Sequence, residues 1–141
     1  MAINIRPFCN SDKAALIALW QEVRLTAPQN DPSRDIQRKL EVDPQLLLVA
    51  TFNEVIVGSV MGGYEGHRGW INYLAVSPNF QRQGVATKLM CRVESDLLSK
   101  GCPKINLQVR SGNNSVLAFY AALGYSDDDV VGLGKRLIHD N

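Results

Sequence analysis

A predicted strand at residues 70–76 leads, within eight residues, into a helical pattern that begins at Gly84 and runs to about Lys100. One face of this helix is apolar and carries Ala86, Leu89, Met90, Val93 and Leu97. Gly101 and Pro103 then end it. A long helix with a single apolar face, joined closely to a strand, has to bury that face against a sheet. The chain is therefore expected to fold as helices packed on a sheet.

The remaining periodicity extends this pattern in both directions. Strands are predicted at residues 2–8, 46–52, 55–64 and 104–110, and helices at 12–25 (with Ser11 as N-cap), 31–42 and 114–123, followed by two weak strands through residue 138. Asp31 before Pro32 is typical of a helix start, and Asn53-Glu54 is typical of a tight turn between strands. The order β-α-α-β-β-β-α-β-α-β-β predicts a mixed sheet covered by helices, in which Trp20 is a core residue.

Composition excludes several classes of protein. The 141 residues suit one domain over 1–141, and 15 Lys and Arg against 14 Asp and Glu argue against a strongly basic nucleic-acid binder. No apolar run approaches the ~20 residues of a membrane span, and the first residues do not resemble a signal peptide. Cys9, Cys91 and Cys102 show no metal-binding spacing, so we expect no metal, a reducing cytoplasm, and three small, partly buried thiols.

The start of the helix at Gly84 has an unusual set of properties. No Ser, Thr, Asp or Asn immediately precedes it to accept its free N–H groups. No Asp or Glu occurs between Gly66 and Val93, whereas four basic residues do: Arg68, Arg82, Lys88 and Arg92. A glycine-opened helix start without acids is suited to an external anion such as a pyrophosphate. An ordinary turn whose N–H groups meet water is the alternative, and the P-loop and dinucleotide-binding motifs are absent.

Two motifs resemble signatures of the GNAT N-acetyltransferases. Gln-x-x-Gly-x-Ala at residues 81–86, after a strand and opening a helix, resembles the acetyl-CoA signature of that family. Residues 113–125 resemble its second signature, an Asn, a Tyr seven residues later, then Gly and an aromatic residue. Residues 61–69 and 133–137 further resemble the small bacterial YpeA-type subgroup. The resemblance spans nearly the whole chain and implies an α/β (α+β) fold, with a mixed, mostly antiparallel sheet of six to seven strands and about four helices.

The resemblance also implies roles for individual residues. The expected contacts of acetyl-CoA are Leu74, Ala75, Val76, Gln81, Arg82, Gln83, Gly84, Val85, Ala86, Thr87, Asn113 and Tyr120. Backbone groups of Leu74 and Val76 would pair with the pantetheine arm, and the N–H groups of residues 82–87 would hold the pyrophosphate. Asn113 would bind the pantetheine region, and Tyr120 would protonate the departing thiolate. Spacing alone leaves two alternatives open, since Tyr120 also fits a buried helix face and Asn113 also fits a helix N-cap.

The implied reaction transfers an acetyl group from acetyl-CoA to a primary amine by direct attack in a ternary complex. Only about 0.04% of a lysine-like amine is neutral at pH 7, so a base must remove its proton. Many family members carry a Glu on the strand before the signature, but residues 70–76 contain no acid. Glu65 is the first candidate for the base, followed by His67 and Asp31, and a water-mediated route is the alternative.

The acceptor is expected near residues 24–36 and 64–73. Arg24, Asn30, Asp31 and Tyr64 are its candidate contacts, while Tyr73 either faces the acceptor or packs in the sheet. A peptide N-terminus, a lysine or a small amine all fit as the acceptor. A homodimer is also compatible with the resemblance. The alternatives to an enzyme are a module that binds acyl-CoA without turnover and a purely structural domain.

Overall fold

The computed structural model describes residues 2–140 and gives a mixed α+β fold. Its strands are β1 (Asn4–Pro7), β2 (Leu47–Phe52), β3 (Val55–Tyr64), β4 (Gly69–Val76) and β5 (Ile105–Asn106). Its α-helices are α1 (Lys13–Glu22), α2 (Pro32–Val42), α3 (Val85–Ser99) and α4 (Asn114–Ala122). The strands form one sheet in chain order, in which β1 to β4 are antiparallel and β5 is parallel to β4. The predicted fold class and the four helices are confirmed.

The predicted number of strands was too high. Within residues 2–140 the sheet has five strands, because residues 107–110 leave the sheet after Asn106 and residues 125–138 form none. The apolar side chains of this last segment, Val130, Val131, Leu133 and Leu137, are all more than three-quarters exposed. The β propensity of such residues expresses packing on a half-buried surface, and here they meet no such surface.

The helix boundaries confirm some predictions and correct others. Asp31 caps α2, its Oδ1 accepting from the N–H groups of Ser33 at 2.9 Å and Arg34 at 3.3 Å. Ser11 does not cap α1, which begins at Lys13 after a single 3-10 turn and ends before the predicted Leu25. The residue that organises this turn is Asp12, whose carboxylate accepts from the N–H of Cys9 at 2.9 Å.

The sheet separates two hydrophobic clusters. Successive side chains of β2 alternate between them, so that Leu47 and Val49 face α1 and α2 whereas Leu48 and Ala50 face α3. Trp20 is fully buried among the α1 and α2 residues, as predicted. On the other face α3 approaches β3 so closely that a Cβ on Gly62 would lie 2.5 Å from a methyl group of Val93. The absence of a side chain at Gly62 therefore allows the close packing of α3 on β3.

The structure also describes the exposure of the cysteines, the apolar character of the helices and the grouping of metal-binding side chains. Cys102 is buried as expected, but Cys9 and Cys91 are exposed. Cys91 follows the buried Met90 on α3, and one residue turns a helix by about 100°, which carries the thiol off the apolar face. None of the helices between residues 2 and 140 is long and apolar enough to cross a membrane. Over the same residues, no group of three or more His, Cys, Asp or Glu side chains could hold a metal ion.

The ion pair between Arg6 and Asp12 predicts a pH-dependent stability. Arg6 donates to both carboxylate oxygens, at 2.7 and 2.9 Å, and with the Cys9 N–H it lowers the pKa of Asp12 to about 2. A depressed folded-state pKa stabilises the fold above the unfolded pKa of 3.8, and the contribution is lost as the pH falls through about 2. We expect Asp12→Asn to lower the free energy of unfolding by about 2 kcal/mol at pH 7. In urea denaturation, the difference in the free energy of unfolding between Asp12→Asn and the parent should become smaller below pH 4. A constant difference between pH 7 and pH 3 would contradict the lowered pKa of Asp12.

Candidate functional site

The open edge of β4 defines one side of the site. β4 and β5 pair only through Gly69 with Ile105 and Trp70 with Asn106. Past these pairs the chain at 107–110 diverges, so β4 has no strand neighbour there over residues 72–76. An extended ligand can add to such a free strand edge through main-chain hydrogen bonds.

The opposite edge of β4 is bulged at the same place. The pairing with β3 passes from Ser59 opposite Ala75 to Met61 opposite Asn72, so two residues of β4 face a single residue of β3. One of the two is Tyr73, whose φ of +53° is unusual for a side chain of that size. The bulge turns the main chain of β4 at the point where the strand loses its neighbour β5.

The start of α3 lies next to this edge and is uncapped, as predicted. Gly84 occupies the N-cap with φ +85°, no side chain accepts from the first turn, and that turn contains no acid. Between residues 2 and 140 no acceptor receives the backbone N–H groups of residues 82–87. A Cβ built on Gly84 would meet no protein atom within 4 Å, so the space beside this residue is open. Free N–H groups and the helix dipole favour an anion at this position.

The glutamines of the signature shape the loop rather than the helix start. The Gln81 side chain donates to the Val76 carbonyl at 3.1 Å, and the Gln83 side chain donates to the Asn79 carbonyl at 3.2 Å. Both amides therefore fold back on the segment between β4 and α3. Arg82 is exposed, with φ +61°. The loop thus holds the end of β4 beside the start of α3 and leaves the N–H groups uncovered.

Tyr120 lies on a buried helix face, which is one of the two readings that the sequence left open. It is only 8% exposed and belongs to the same hydrophobic cluster as Leu74 and Val76, so it is a core residue. Burial raises the pKa of its hydroxyl to about 12. That hydroxyl has no hydrogen-bond partner in the described chain, where every fully buried side-chain polar atom has one. It therefore keeps contact with solvent and is free to donate.

The other residues of the second signature have structural roles. Asn113 caps α4, its Oδ1 accepting from the Val116 N–H at 3.4 Å, which leaves its amide hydrogens without a partner among the described residues. Tyr125, a residue without a sequence-based assignment, donates to Glu94 on α3 at 2.6 Å. Its ring packs edge-on against Tyr120, with 5.5 Å between the centroids. These contacts connect Tyr120 through Tyr125 to α3.

Glu65 lies in the turn before β4, and its carboxylate accepts hydrogen bonds from the backbone of that turn. One oxygen, Oε1, accepts from the backbone N–H groups of His67 at 2.5 Å and Arg68 at 2.6 Å. These bonds, that from Arg68 first, lower the pKa of Glu65. The contacts describe a carboxylate that closes a turn, and a lowered pKa weakens it as a base.

A cavity of about 560 Å³ opens on the other face of β4. Its walls come from the α1–α2 connection, α2, β3 and β4, and consist of Leu25, Asn30, Asp35, Arg38, Lys39, Val42, Met61, Asn72 and Tyr73. Asn30 and Tyr73 were expected here. Arg24, Asp31 and Tyr64 are not among the lining residues, and Tyr64 donates to the Gly66 carbonyl instead.

Sequence reasoning missed the charged side chains of this cavity. Asp35, Arg38 and Lys39 all come from one side of α2, within the first two turns after its cap. The Lys39 ammonium donates to the Gly62 carbonyl, and burial lowers its pKa. The available signal was the i, i+3, i+4 spacing of these three residues, but that spacing also describes a solvated helix face.

Tyr73 joins the bulge of β4 to α1 and α2. Its ring stacks on Trp20 at 3.8 Å between centroids, and its hydroxyl donates to Asp35 at 2.6 Å. Its carbonyl accepts from Ser59, which itself accepts from the Trp20 indole N–H. Burial and the Asp35 hydrogen bond raise the pKa of Tyr73. The cavity therefore meets β4 at a fixed, hydrogen-bonded bulge.

Comparison with known proteins identifies this arrangement. Residues 13–125 match the family model described as the Acetyltransferase (GNAT) family. An acetyltransferase of Pectobacterium atrosepticum is 51% identical, and one of Yersinia enterocolitica is 49% identical, each over 98% of both chains. The chain belongs to the GNAT acetyltransferase family. Acyl transfer is thus the general activity that family membership and these bacterial relatives support.

Solved structures share the fold at low sequence identity. AAC(6')-Iy, in complex with the bisubstrate analogue CoA-S-monomethyl-acetylneamine, superposes with a TM-score of 0.81 at 19% identity, over 98% of this chain and 100% of that chain. Ard1 from Thermoplasma volcanium superposes with a TM-score of 0.79 at 24% identity, over 89% and 84% of the two chains. Both comparisons establish the fold of this chain.

Proposed function

We propose that the chain, as a single domain over residues 1–141, transfers an acetyl group from acetyl-CoA to a primary amine. The observation that carries this proposal is the set of free N–H groups at the start of α3 beside the open edge of β4. These two features suit the two ends of one ligand, since the N–H groups suit a pyrophosphate and the strand edge suits an amide-bearing arm. A protein of the same fold binds a CoA-based analogue.

The residues present fit this donor. The N–H groups of residues 82–87 are free, and the missing side chain of Gly84 leaves the approach open. Leu74 and Val76 lie on β4 beyond its pairing with β5, although the Val76 carbonyl already accepts from Gln81, and Ala75 pairs with Ser59 of β3. The amide hydrogens of Asn113 have no partner among the described residues. When bound, the thioester supplies the activated acetyl group.

Tyr120 is assigned as the proton donor to the leaving sulfur. Its hydroxyl is unpaired, lies in the cluster that contains Leu74 and Val76, and has a pKa of about 12. The phenol therefore stays protonated at every pH at which the enzyme would work, and it can donate a hydrogen bond to developing negative charge. A backbone N–H at the β4 bulge, from Leu74 or Ala75, would polarise the thioester carbonyl.

The geometry favours Asp35 over Glu65 as the group that receives the proton of the amine. Glu65 precedes β4, and the six residues from Gly69 to Leu74 span roughly 16 Å of extended chain. Asp35 lines the cavity and lies one hydrogen bond from Tyr73, next to Leu74. A carboxylate at this position can take up the proton through water held in the cavity.

A pair of conservative variants tests this assignment. We expect Asp35→Asn to lower kcat/KM by about 10²-fold or more, the usual contribution of a general base. Glu65→Gln should leave kcat/KM close to that of the parent. Both variants keep size and hydrogen-bonding capacity, and melting temperatures control for folding. A large loss of kcat/KM in Glu65→Gln with none in Asp35→Asn would return the role to Glu65.

The decisive test of the function is the release of free CoA thiol from acetyl-CoA over a panel of amines, polyamines, amino acids and peptides. Transfer to at least one amine is expected. A rise in melting temperature with acetyl-CoA but no thiol release over the panel would indicate the non-catalytic binding module instead. The cytoplasmic setting, the homodimer and the resemblance to the YpeA-type subgroup stay predictions.

A further inference from the structure

The C-terminal segment is attached to α2 by a built carboxylate site. Arg38 donates to both oxygens of Asp140, at 2.9 and 2.8 Å, and Arg34 lies 3.6 Å from the same carboxylate. The Asp140 side chain is 1% exposed. A second contact, from Arg136 to the Asn30 side chain, attaches the segment to the α1–α2 connection. A two-pronged arginine contact of this kind is specific for planar anions such as carboxylates.

Both attachment points belong to the acceptor cavity. Asn30 and Arg38 line it, and Arg38 also lies 3.5 Å from Asp35. Among the lining residues two cations, Arg38 and Lys39, stand against one anion, Asp35. The Arg38 side chain remains 43% exposed despite its contacts. The excess positive charge of the cavity is thus neutralised by a carboxylate that the chain supplies from its own last described residue.

We propose that the acceptor is an amine that carries a carboxylate, and that Arg38, assisted by Arg34, binds this carboxylate in place of Asp140. The inference rests on the proposed function and names its substrate class. An acceptor carboxylate would make the same contacts that Asp140 makes, so the exchange leaves no guanidinium unpaired. An amine without a carboxylate offers no such replacement. Asp140 acts as an internal competitor, which reduces the apparent affinity of the acceptor by the fraction of time it occupies the arginines.

Matched acceptors test the proposal. Glycine, β-alanine and 4-aminobutyrate are each compared with the corresponding amide, which has a similar size but lacks the carboxylate charge. We expect at least one acid to exceed its amide in kcat/KM by about tenfold or more, the effect of a charge-assisted contact, and Arg38→Gln to abolish this preference. Asp140→Asn should raise kcat/KM for the acid several-fold and leave the amide unchanged. Asp128→Asn, which removes a C-terminal carboxylate paired with Lys104 at 2.6 Å and not with α2, is the control and should change neither.

Equal use of acid and amide by the parent and by Asp140→Asn would overturn the proposal. An equal gain for both acceptors in Asp140→Asn would also overturn it, since the segment would then be a steric cover. Arg38→Lys, which keeps the charge but not the two-pronged contact, should retain only part of the preference and guards against misfolding of Arg38→Gln.

Calorimetry separates this inference from the proposed function. Binding of 4-aminobutyrate to Asp140→Asn protein without acetyl-CoA, lost in the Asp140→Asn/Arg38→Gln double variant, would support the carboxylate site even if no thiol were released. Acetyl transfer without any preference for acids would support the enzyme and reject the carboxylate site.

Discussion

Gly84→Glu should weaken acetyl-CoA binding by about 100-fold or more, because it places a negative charge where the pyrophosphate is expected, and like charges at such distance cost several kcal/mol. The new side chain would point into the space that is open in front of the α3 N–H groups, and its carboxylate would accept from them. Isothermal titration with acetyl-CoA measures the loss, and the melting temperature reports on the fold.

The chain provides a matched control for backbone strain. Gly84 and Gly101 have nearly the same φ, +85° and +86°, and a Cβ on either one meets nothing within 4 Å. A side chain at such a φ costs roughly 1–2 kcal/mol at both positions. Gly101→Glu at the other end of α3 should therefore lower stability by a similar amount and leave acetyl-CoA binding intact. Normal affinity in Gly84→Glu would refute the phosphate site, and equal losses in both variants would attribute the effect to destabilisation.

Tyr120→Phe should lower kcat by about 100-fold while the Kd for acetyl-CoA changes by less than about threefold, because the variant removes only the hydroxyl that donates to the leaving sulfur. The ring keeps its packing against Phe119 and Tyr125. Single-turnover measurements of thiol release isolate the chemical step from product release. The parent should show no titration of this group near pH 10, since its pKa is raised to about 12.

Tyr125→Phe is the control in the same aromatic cluster. The substitution removes the hydrogen bond from Tyr125, which follows α4, to Glu94 on α3. It should lower the melting temperature with little effect on kcat. A kcat for Tyr120→Phe equal to that of the parent in single turnovers would leave Tyr120 as a packing residue. A comparable loss in both variants would show that the cluster, rather than the Tyr120 hydroxyl, supports the reaction.

The sequence predicted what short-range patterns encode. The face of α3, the cap at Asp31 and the turn at Asn53-Glu54 each depend on residues within about one helical turn or one hairpin, and all three are present. The uncapped start of α3 was predictable for the same reason. The absence of strands at residues 107–110 and 125–138 was not predictable, because a strand requires a partner backbone as well as β-prone side chains.

Asn30 and Tyr73 of the cavity were predicted, but the roles of Asp35 and Arg38 were not, because their partners are distant along the chain. Asp35 and Tyr73 are separated by 38 residues, and Arg38 and Asp140 by 102. No local spacing brings these groups together, since their contact depends on how α2 packs on the bulged strand. Of the three sequence-based candidates for the base, Glu65 and His67 lie in the turn before β4, and Asp31 caps α2 four residues before Asp35.

The Trp20–Ser59–Tyr73 network has a consequence for how such an enzyme could diversify. The indole, the serine hydroxyl and the bulge carbonyl are joined by bonds of 2.9 and 2.8 Å inside the core, so substitution there would cost folding before it altered substrate choice. The charged residues of α2 stand on a partly solvated surface and can be exchanged at little cost to stability. We therefore expect substitutions along α2 to change the acceptor preference at a smaller cost in stability than substitutions in this network.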